Sequence, residues 1–341
     1  MPRARTKKVL EVKKRLIARL ESGYFSSGER FFSNRYVATH FNVSYKTAHT
    51  LLNELEEEGY LKRKGQSGSF VAGLQRSYQG VAIYAPRRIE DPASYSNFLF
   101  ELLKGQLKKE NLPYEVFIAD CSTKLKEELY PIVIDLPCLQ EQLYHLNSYG
   151  LFLNDKPQPG LSSILVDSIY CDNYSGGVAA AQLIQQTFGN AKSTIFAGPR
   201  NDWRGEARLK GFLSRIPDAR VVFAETWHQE IAFKRLNLLF AEPVETLFCC
   251  NDKLAAAVVE YCEKAAFKRP PIIGFDNLPI SEVLAFTSIG VPWQEVIEIA
   301  VKCAAGRLKQ NGSAVRHTMV AIKPVLRGEF LKTEEENGRG K

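Results

Sequence analysis

From Gly80 onward short apolar runs alternate with helical patterns, and no other feature of the 341 residues constrains the fold as tightly. "GVAIYAP", "YEVFIAD", "YPIVIDLP", "YGLFLND", "SSILVDS", "STIFAGP", "ETLFCCND" and "PIIGFDN" read as strands. Helical patterns run from about Tyr95 to Glu110 and through "SGGVAAAQLIQQTF", "ARLKGFLSRI", "LAAAVVEYCEKA" and "PWQEVIEIAVKCAAGRLKQ". Strands that are apolar throughout and separated by helices build parallel sheets covered on both faces. Roughly 250 residues with this many strands exceed one doubly wound sheet. The expected class is therefore α/β, with two lobes and a cleft between them. "TMVAIKPVLRG" adds a terminal pair of strands, and the polar tail 332–341 reads as disordered.

The first 77 residues have another texture. They carry 15 of the 45 Lys and Arg residues but only 7 of the 38 Asp and Glu, a balance of +8 in a chain whose net charge is +7. The whole basic excess thus lies in the N-terminal fifth, which points to a polyanion as the partner of that part. Val9, Val12, Leu16, Ile17 and Leu20 mark one face of a first helix, ended by Gly23. Ser33 can cap a second helix from Asn34 to His40, and Ser44 a third from Tyr45 to Glu58. Ala48, Leu51, Leu52 and Leu55 give the third helix its buried face, and Gly59 closes it. "YLKR" and "SFVA", joined by the basic turn "KGQSG", read as a hairpin. A helix-turn-helix followed by a basic hairpin is a device for duplex DNA, with the N-terminal part of its second helix near base edges.

Residues 10–72 resemble the GntR-type winged helix. The resemblance is carried by "GYFSSGERFFSNRYVA", "VSYKTAH", "LEEEG" and "GQSGSFV". It implies DNA contacts from Arg35, Ser44, Lys46, Thr47 and the wing around Gly65–Gly68, which makes Gly65, Gln66 and Ser67 candidates, joined by Lys64 of the basic hairpin. Tyr45 and His49 stand where the family usually has arginines, and they join the candidate set by position. Phe31-Phe32-Ser33 replaces the usual Leu-Pro-Ser, and Gln66 takes the place of a wing glycine.

Several strand ends of the second part carry groups that could hold a small polar molecule, where open parallel sheets bind their ligands. Arg208 follows "FAGP", Asn251 and Asp252 end "FCCND", and Asp276 ends "IIGFD". Carboxylate, amide and guanidinium groups can pair with sugar hydroxyls, while Trp203, Trp227 or Trp293 could cover an apolar sugar face. Each also has a plainer role. A Trp after a strand packs in a core, and Asp252 could cap the helix that follows it. Residues 80–330 resemble the LacI/GalR-type effector domain, similar in fold to periplasmic sugar-binding proteins. "DNYSGG", "FAGP" with "ARLKGF", "CND", "IIGFD" and "TSIGVPW" carry that resemblance in order and spacing. It implies ligand contacts from Arg208, Asn251, Asp252, Asp276 and Trp293, with Tyr95, Ser96 and Asp155 as candidates from the first lobe.

The expected organisation is a winged helix at 1–73, a linker at 74–79, an effector-binding and dimerisation domain at 80–331, and the tail. No Walker A loop, HExxH, GxSxG, CxxC or GxGxxG is present. "SGGVAA" opens a helix with glycines, as a phosphate site does, without the full fingerprint. No enzyme activity, cofactor or metal is expected. A glycosidase would also need clustered carboxylates, but these acids sit at strand ends where sugar hydrogen bonding explains them. The seven cysteines, at 121, 138, 171, 249, 250, 262 and 303, show no metal spacing and read as small buried hydrophobes in a reducing compartment. No apolar run approaches the roughly 18–20 residues that cross a bilayer, and the basic N-terminus lacks a signal-peptide core. The basic first helix could lie on a membrane, yet Glu11, Glu21 and the compact pattern after it favour core packing.

The function these features imply is that of a cytoplasmic, ligand-responsive regulator. It would bind operator DNA as a homodimer and repress sugar-utilisation genes in response to a sugar or sugar derivative. The alternative is a cytoplasmic sugar-binding protein without operator binding, against which the basic N-terminal part counts.

Overall fold

A computed structural model describes residues 7–21, 25, 28–63, 68–72, 78–145, 149–156, 166–309 and 317–331. The chain divides into two units, residues 1–170 with 293–318 and residues 171–292 with 319–341. Among the described residues no helix is long and apolar enough to cross a membrane. The tail 332–341 and the hairpin residues Lys64, Gly65, Gln66 and Ser67 lie outside the described residues.

The N-terminal module has three helices, α1 (Lys7–Glu21), α2 (Asn34–His40) and α3 (Tyr45–Glu57), and two antiparallel strands, β1 (Leu61–Arg63) and β2 (Ser69–Val71). Its core is built from the apolar positions read in the sequence: Val12, Leu16 and Leu20 pack with Val37, Ala48, Leu51, Leu52 and Leu55, and Tyr60, Leu61 and Val71 close the cluster. Ser33 caps α2 by accepting from Tyr36 N, and Ser44 caps α3 by accepting from Thr47 N at 3.0 Å. Gly59 adopts φ 81°, the left-handed turn that ends α3. Lys13 of α1 pairs with Glu54 of α3 and with Glu58, the residue that caps α3, and ties the first helix to the third. Burial would lower the Lys13 ammonium, but the two carboxylates outweigh it and raise it.

In the first unit a sheet follows: β3 (Gly80–Ala85), α4 (Tyr95–Lys109), β4 (Tyr114–Ile118), β5 (Leu129–Ile134), α5 (Gln140–His145), β6 (Gly150–Leu153) and β7 (Val166–Cys171). β3 lies between β4 and β5, and all its pairings are parallel. The expected strand "SSILVDS" is displaced: β7 begins at Val166, and 157–165 lie outside the described residues.

The second unit contains α6 (Asn173–Phe188), β8 (Ser193–Ala197), α7 (Trp203–Leu213), β9 (Arg220–Phe223), α8 (Gln229–Phe233), α9 (Leu236–Leu239), β10 (Thr246–Cys249), α10 (Asp252–Lys264), β11 (Ile272–Asp276), α11 (Pro279–Val283) and β12 (Thr287–Gly290). The chain ends through α12 (Trp293–Leu308), β13 (His317–Val320) and β14 (Lys323–Val325). The terminal pair of strands is not a hairpin. β13 is the edge next to β7, while β14 runs antiparallel to β12 in the other sheet, whose order is β14-β12-β11-β10-β8-β9.

Two cysteines depart from the expectation. Cys121 and Cys138 form a disulfide, with Cα atoms 5.4 Å apart. Cys121 follows β4 and Cys138 follows β5, and both strands flank β3, so topology brings together two thiols that sequence spacing did not pair. Cys171, Cys249, Cys250 and Cys262 are buried, as expected. Burial pushes the Cys171 thiol up to about 11 and the Cys250 thiol up to about 12, which keeps both protonated at neutral pH.

Candidate functional site

On the N-terminal module, the face of α3 opposite its leucines carries exposed Tyr45, Lys46 and His49. Arg35 of α2 is exposed beside it. The Ser44 and Thr47 hydroxyls lie 2.8 Å apart and also complete the helix cap, so both are already engaged within the protein. Three polar residues outside the implied contact set adjoin this face: Asn34 of α2, Asn53 of α3 and Arg63 of β1. Asn34 stays hidden in a linear reading because it looks like a helix start, whereas Arg63 belongs to the basic hairpin that the sequence itself offers to DNA.

In the second unit Arg208 of α7 meets one of the strand-end acids, Asp276. Its guanidinium is 3% exposed, as is fitting only for a fully partnered charge. Nε donates to Asn173 Oδ1 at 2.8 Å, Nη1 to the Cys250 carbonyl, and Nη2 to Asp276 Oδ1 at 3.1 Å. The guanidinium carbon stands 3.7 Å from the Phe275 ring centroid and 5.9 Å from that of Trp227. Burial opposes the Arg208 charge, but Asp276 overrides it and raises the guanidinium further. Burial likewise raises the Asp276 carboxyl, with Arg208 pulling it back.

Asp276 sits at φ 101°, a backbone region costly for any residue but glycine. Such strain, of order 1–3 kcal/mol, is held in place by surrounding structure and collects at functional sites. Here Arg208 grips the side chain, and Asn277 N donates to Ser288 Oγ at 3.0 Å.

Asp202 organises the mouth of α7. It caps the helix, accepts from Trp227 Nε1 at 2.9 Å and pairs with Arg204 at 2.9 Å. Burial alone would raise its carboxyl, but the Arg204 guanidinium and the Trp227 N–H hold it down at about 2. A carboxyl lowered by folding contributes stability above the ordinary carboxylate range and loses it as pH falls toward the folded value. Asp202→Asn is therefore expected to cost about 2 kcal/mol at neutral pH. Its destabilisation should shrink as pH drops from about 4 toward about 2, which urea titrations at a series of pH values will read.

Trp227 packs over backbone: a Cβ at Gly198 would meet its ring at 2.4 Å. Trp203, the first residue of α7, is half-buried. Asn251 is the α10 cap, accepting from Leu254 N at 2.8 Å. Asp252 differs from its expected role at a ligand surface. It is fully buried, and its two oxygens accept from Leu278 N at 2.7 Å and Ser288 Oγ at 2.7 Å. Burial and the nearby Asp276 raise its carboxyl. Asp252 thus braces the backbone after Asp276 from behind. The α10 cap is Asn251, one residue earlier than the plainer sequence reading placed it.

The first unit collects its own set. Tyr95 and Phe98 pack edge-on against Trp293, with centroids 5.6 and 6.2 Å away. The Tyr95 hydroxyl accepts from buried Asn154, and Ser96 Oγ donates to Asp135 at 3.1 Å. Asp155 accepts from the next amide, Lys156 N. Asn154 (φ 56°) and Asp135 (φ 53°) occupy left-handed positions at strand ends; nothing in the local sequence separated them from ordinary turn residues. Among the described residues no cluster of His, Cys, Asp or Glu could hold a metal ion.

Residues 8–71 match the family of bacterial regulatory proteins named gntR, and residues 163–284 match a periplasmic binding protein domain. The protein thus joins a gntR-type winged helix to a periplasmic-binding-protein-like domain, the construction of a ligand-responsive DNA-binding transcription regulator. The arabinose metabolism transcriptional repressor of Geobacillus stearothermophilus is 24% identical over 308 residues, covering 79% of this chain and 82% of that protein. A LacI family transcriptional regulator from Enterococcus faecium, solved with bound ribose, superposes with a TM-score of 0.60 at 18% identity, over 73% of this chain and 98% of that one. The Escherichia coli transcriptional repressor ascG gives 0.57 at 16% identity, over 72% and 97%.

Proposed function

We propose that the protein represses sugar-utilisation genes by binding operator DNA as a homodimer, through a winged helix at 1–73, and that a sugar or sugar derivative taken up by the domain at 80–331 alters this binding. One observation carries the ligand half: a buried Arg208–Asp276 pair, further tied to Asn173, is held on a strained strand end beside Trp227. Buried, pre-organised donors and acceptors beside an aromatic wall suit a ligand rich in hydroxyls. The basic charge confined to the first 77 residues supports the DNA half. The ligand is bound and released unchanged, so no catalytic group is needed, and the protein acts in the cytoplasm, where its operator is.

Electrophoretic mobility shift with genomic fragments tests the reading. Affinity should fall steeply as salt rises, since each neutralised phosphate releases counterions. A panel of pentoses and hexoses, L-arabinose and D-ribose among them, should contain one that changes the DNA affinity about 5- to 150-fold, the usual range of such coupling. Retardation of no fragment at any salt, with or without sugars, would leave only the sugar-binding alternative. NMR spectra of the responsive sugar should be identical before and after incubation.

A further inference from the structure

Tyr45, His49 and Asn53 stand one helical turn apart along the exposed face of α3, and two residues from other elements lean onto this stripe. Arg63 reaches over from β1. Its Nη1 donates to Asn53 Oδ1 and lies 3.4 Å from His49 Nδ1, while Nη2 donates to Asn34 Oδ1 at 3.4 Å. Asn34 Nδ2 is 3.4 Å from the Tyr45 hydroxyl and 3.3 Å from His49 Nδ1, and Asn53 Nδ2 is 3.4 Å from His49 Nε2.

The cluster cannot satisfy itself. A guanidinium and the amide nitrogens only donate, and a neutral imidazole accepts at a single nitrogen. Both ring nitrogens of His49 nevertheless face N–H donors. On this exposed face the surplus donors are met by water in the free protein and stand available to acceptors on DNA. In the major groove the pair of acceptors matched to an arginine fork is N7 and O6 of guanine.

Phosphate oxygens are acceptors too, but the position of Arg63 favours a base. Its guanidinium is fastened across the middle of the recognition face by two asparagines, which fixes its direction before DNA arrives. A fixed fork suits bidentate recognition. Arg35 and Lys46 are exposed and have no side-chain partner among the described residues, as suits adaptable phosphate contacts.

We propose that Arg63, held by Asn34 and Asn53, forms with His49 a base-reading group that selects guanine in the operator. The proposal rests on the operator-binding reading above and names what that interface reads. Asn34 and Asn53 are positioning residues in it.

Selection from a random duplex pool with the full-length protein tests it, using wild type, Arg63→Ala, Arg63→Lys and Asn34→Ala. Wild type should enrich a motif with a dominant guanine. Arg63→Ala and Arg63→Lys should both lose preference at that one position, by about 5- to 150-fold in relative affinity, while other positions stay selected and the salt slope is unchanged. Asn34→Ala should weaken preference at the same position and no other. Uniform weakening across all sequences, a salt slope lower by about 1 and rescue by lysine would mark a phosphate contact and overturn the proposal. An Arg63→Ala motif identical to that of wild type would overturn it as well. Failure of the wild type itself to enrich any motif would sink the operator-binding reading instead, so the two failures are distinct. Circular dichroism melts that match wild type establish that the variants are folded.

Discussion

Gly177→Ala is expected to unfold the second unit. A Cβ at this position would stand 2.0 Å from the Arg208 carbonyl oxygen and 2.8 Å from Phe212 N. Both are main-chain atoms of α7, so no rotamer change relieves the overlap. The facing residue repeats the contact: a Cβ on Gly211 would meet the Tyr174 carbonyl oxygen at 2.0 Å. α6 and α7 therefore touch backbone to backbone, and forcing them apart displaces the helix that carries Arg208. The expected loss for either substitution is about 4 kcal/mol or more, the tail of the distribution for single changes. Gly105→Ala in α4 and Gly306→Ala in α12 are the controls, because a Cβ at either meets nothing within 4 Å. Removing glycine from an open helical position should stabilise by about 0.5–1 kcal/mol. Urea denaturation of the four variants separates the cases, and a similar small effect for all four would show that the close approach does not hold the unit together.

The same glycines show why part of the site could not be read from the chain. "SGGVAA" at the start of a helix fits two uses, an anion cradle or close helix packing, and a linear pattern does not distinguish them. The three-dimensional contacts do. Gly177 faces α7, while Asp172 accepts from Ser175 N at 3.0 Å and already occupies an N-terminal amide of α6. Local signals transferred well wherever the structural cause was local. The capping serines at 33 and 44 and the leucine stripe of α3 are where spacing and side-chain chemistry put them. Sheet order, the separation of β13 from β14 and the Cys121–Cys138 link depend on which distant strands meet, and no window of sequence contains that information.

Arg208 of α7 and Asp276 at the end of β11 stand out in the sequence because they lie at motif positions. Asn173, which orients Arg208 from α6, does not: between a capping aspartate and a run of small residues it looks like part of the helix start. Asp252 was legible as a polar residue at a strand end but not as a buried brace. Its direction is set by Gly274, where a Cβ would lie 2.2 Å from its carboxylate, and by Ser288 on the adjoining strand. A side chain's neighbours decide whether a strand-end acid faces a ligand or the core.

Arg208→Ala is expected to cost about 3–5 kcal/mol, since it strands the Asp276 carboxylate in a site where burial penalises charge. The partners are 3% and 7% exposed, so water cannot replace the lost guanidinium without opening the structure. The same burial makes the single variant a poor probe of ligand recognition, because a fall in stability alone would change any melting experiment. Exchanging both partners removes the difficulty. Arg208→Met retains much of the side-chain volume against Phe275, and Asp276→Asn removes the charge that the arginine had balanced. The double variant should recover part of the loss, giving a coupling of about 1–3 kcal/mol in a double-mutant cycle followed by urea denaturation. If the pair also binds ligand, the refolded double variant should show no thermal shift with the sugar that shifts wild type, while its mobility-shift titration with operator DNA in the absence of sugar stays unchanged. A restored fold that still responds to the sugar would confine Arg208 and Asp276 to holding the strand ends in place.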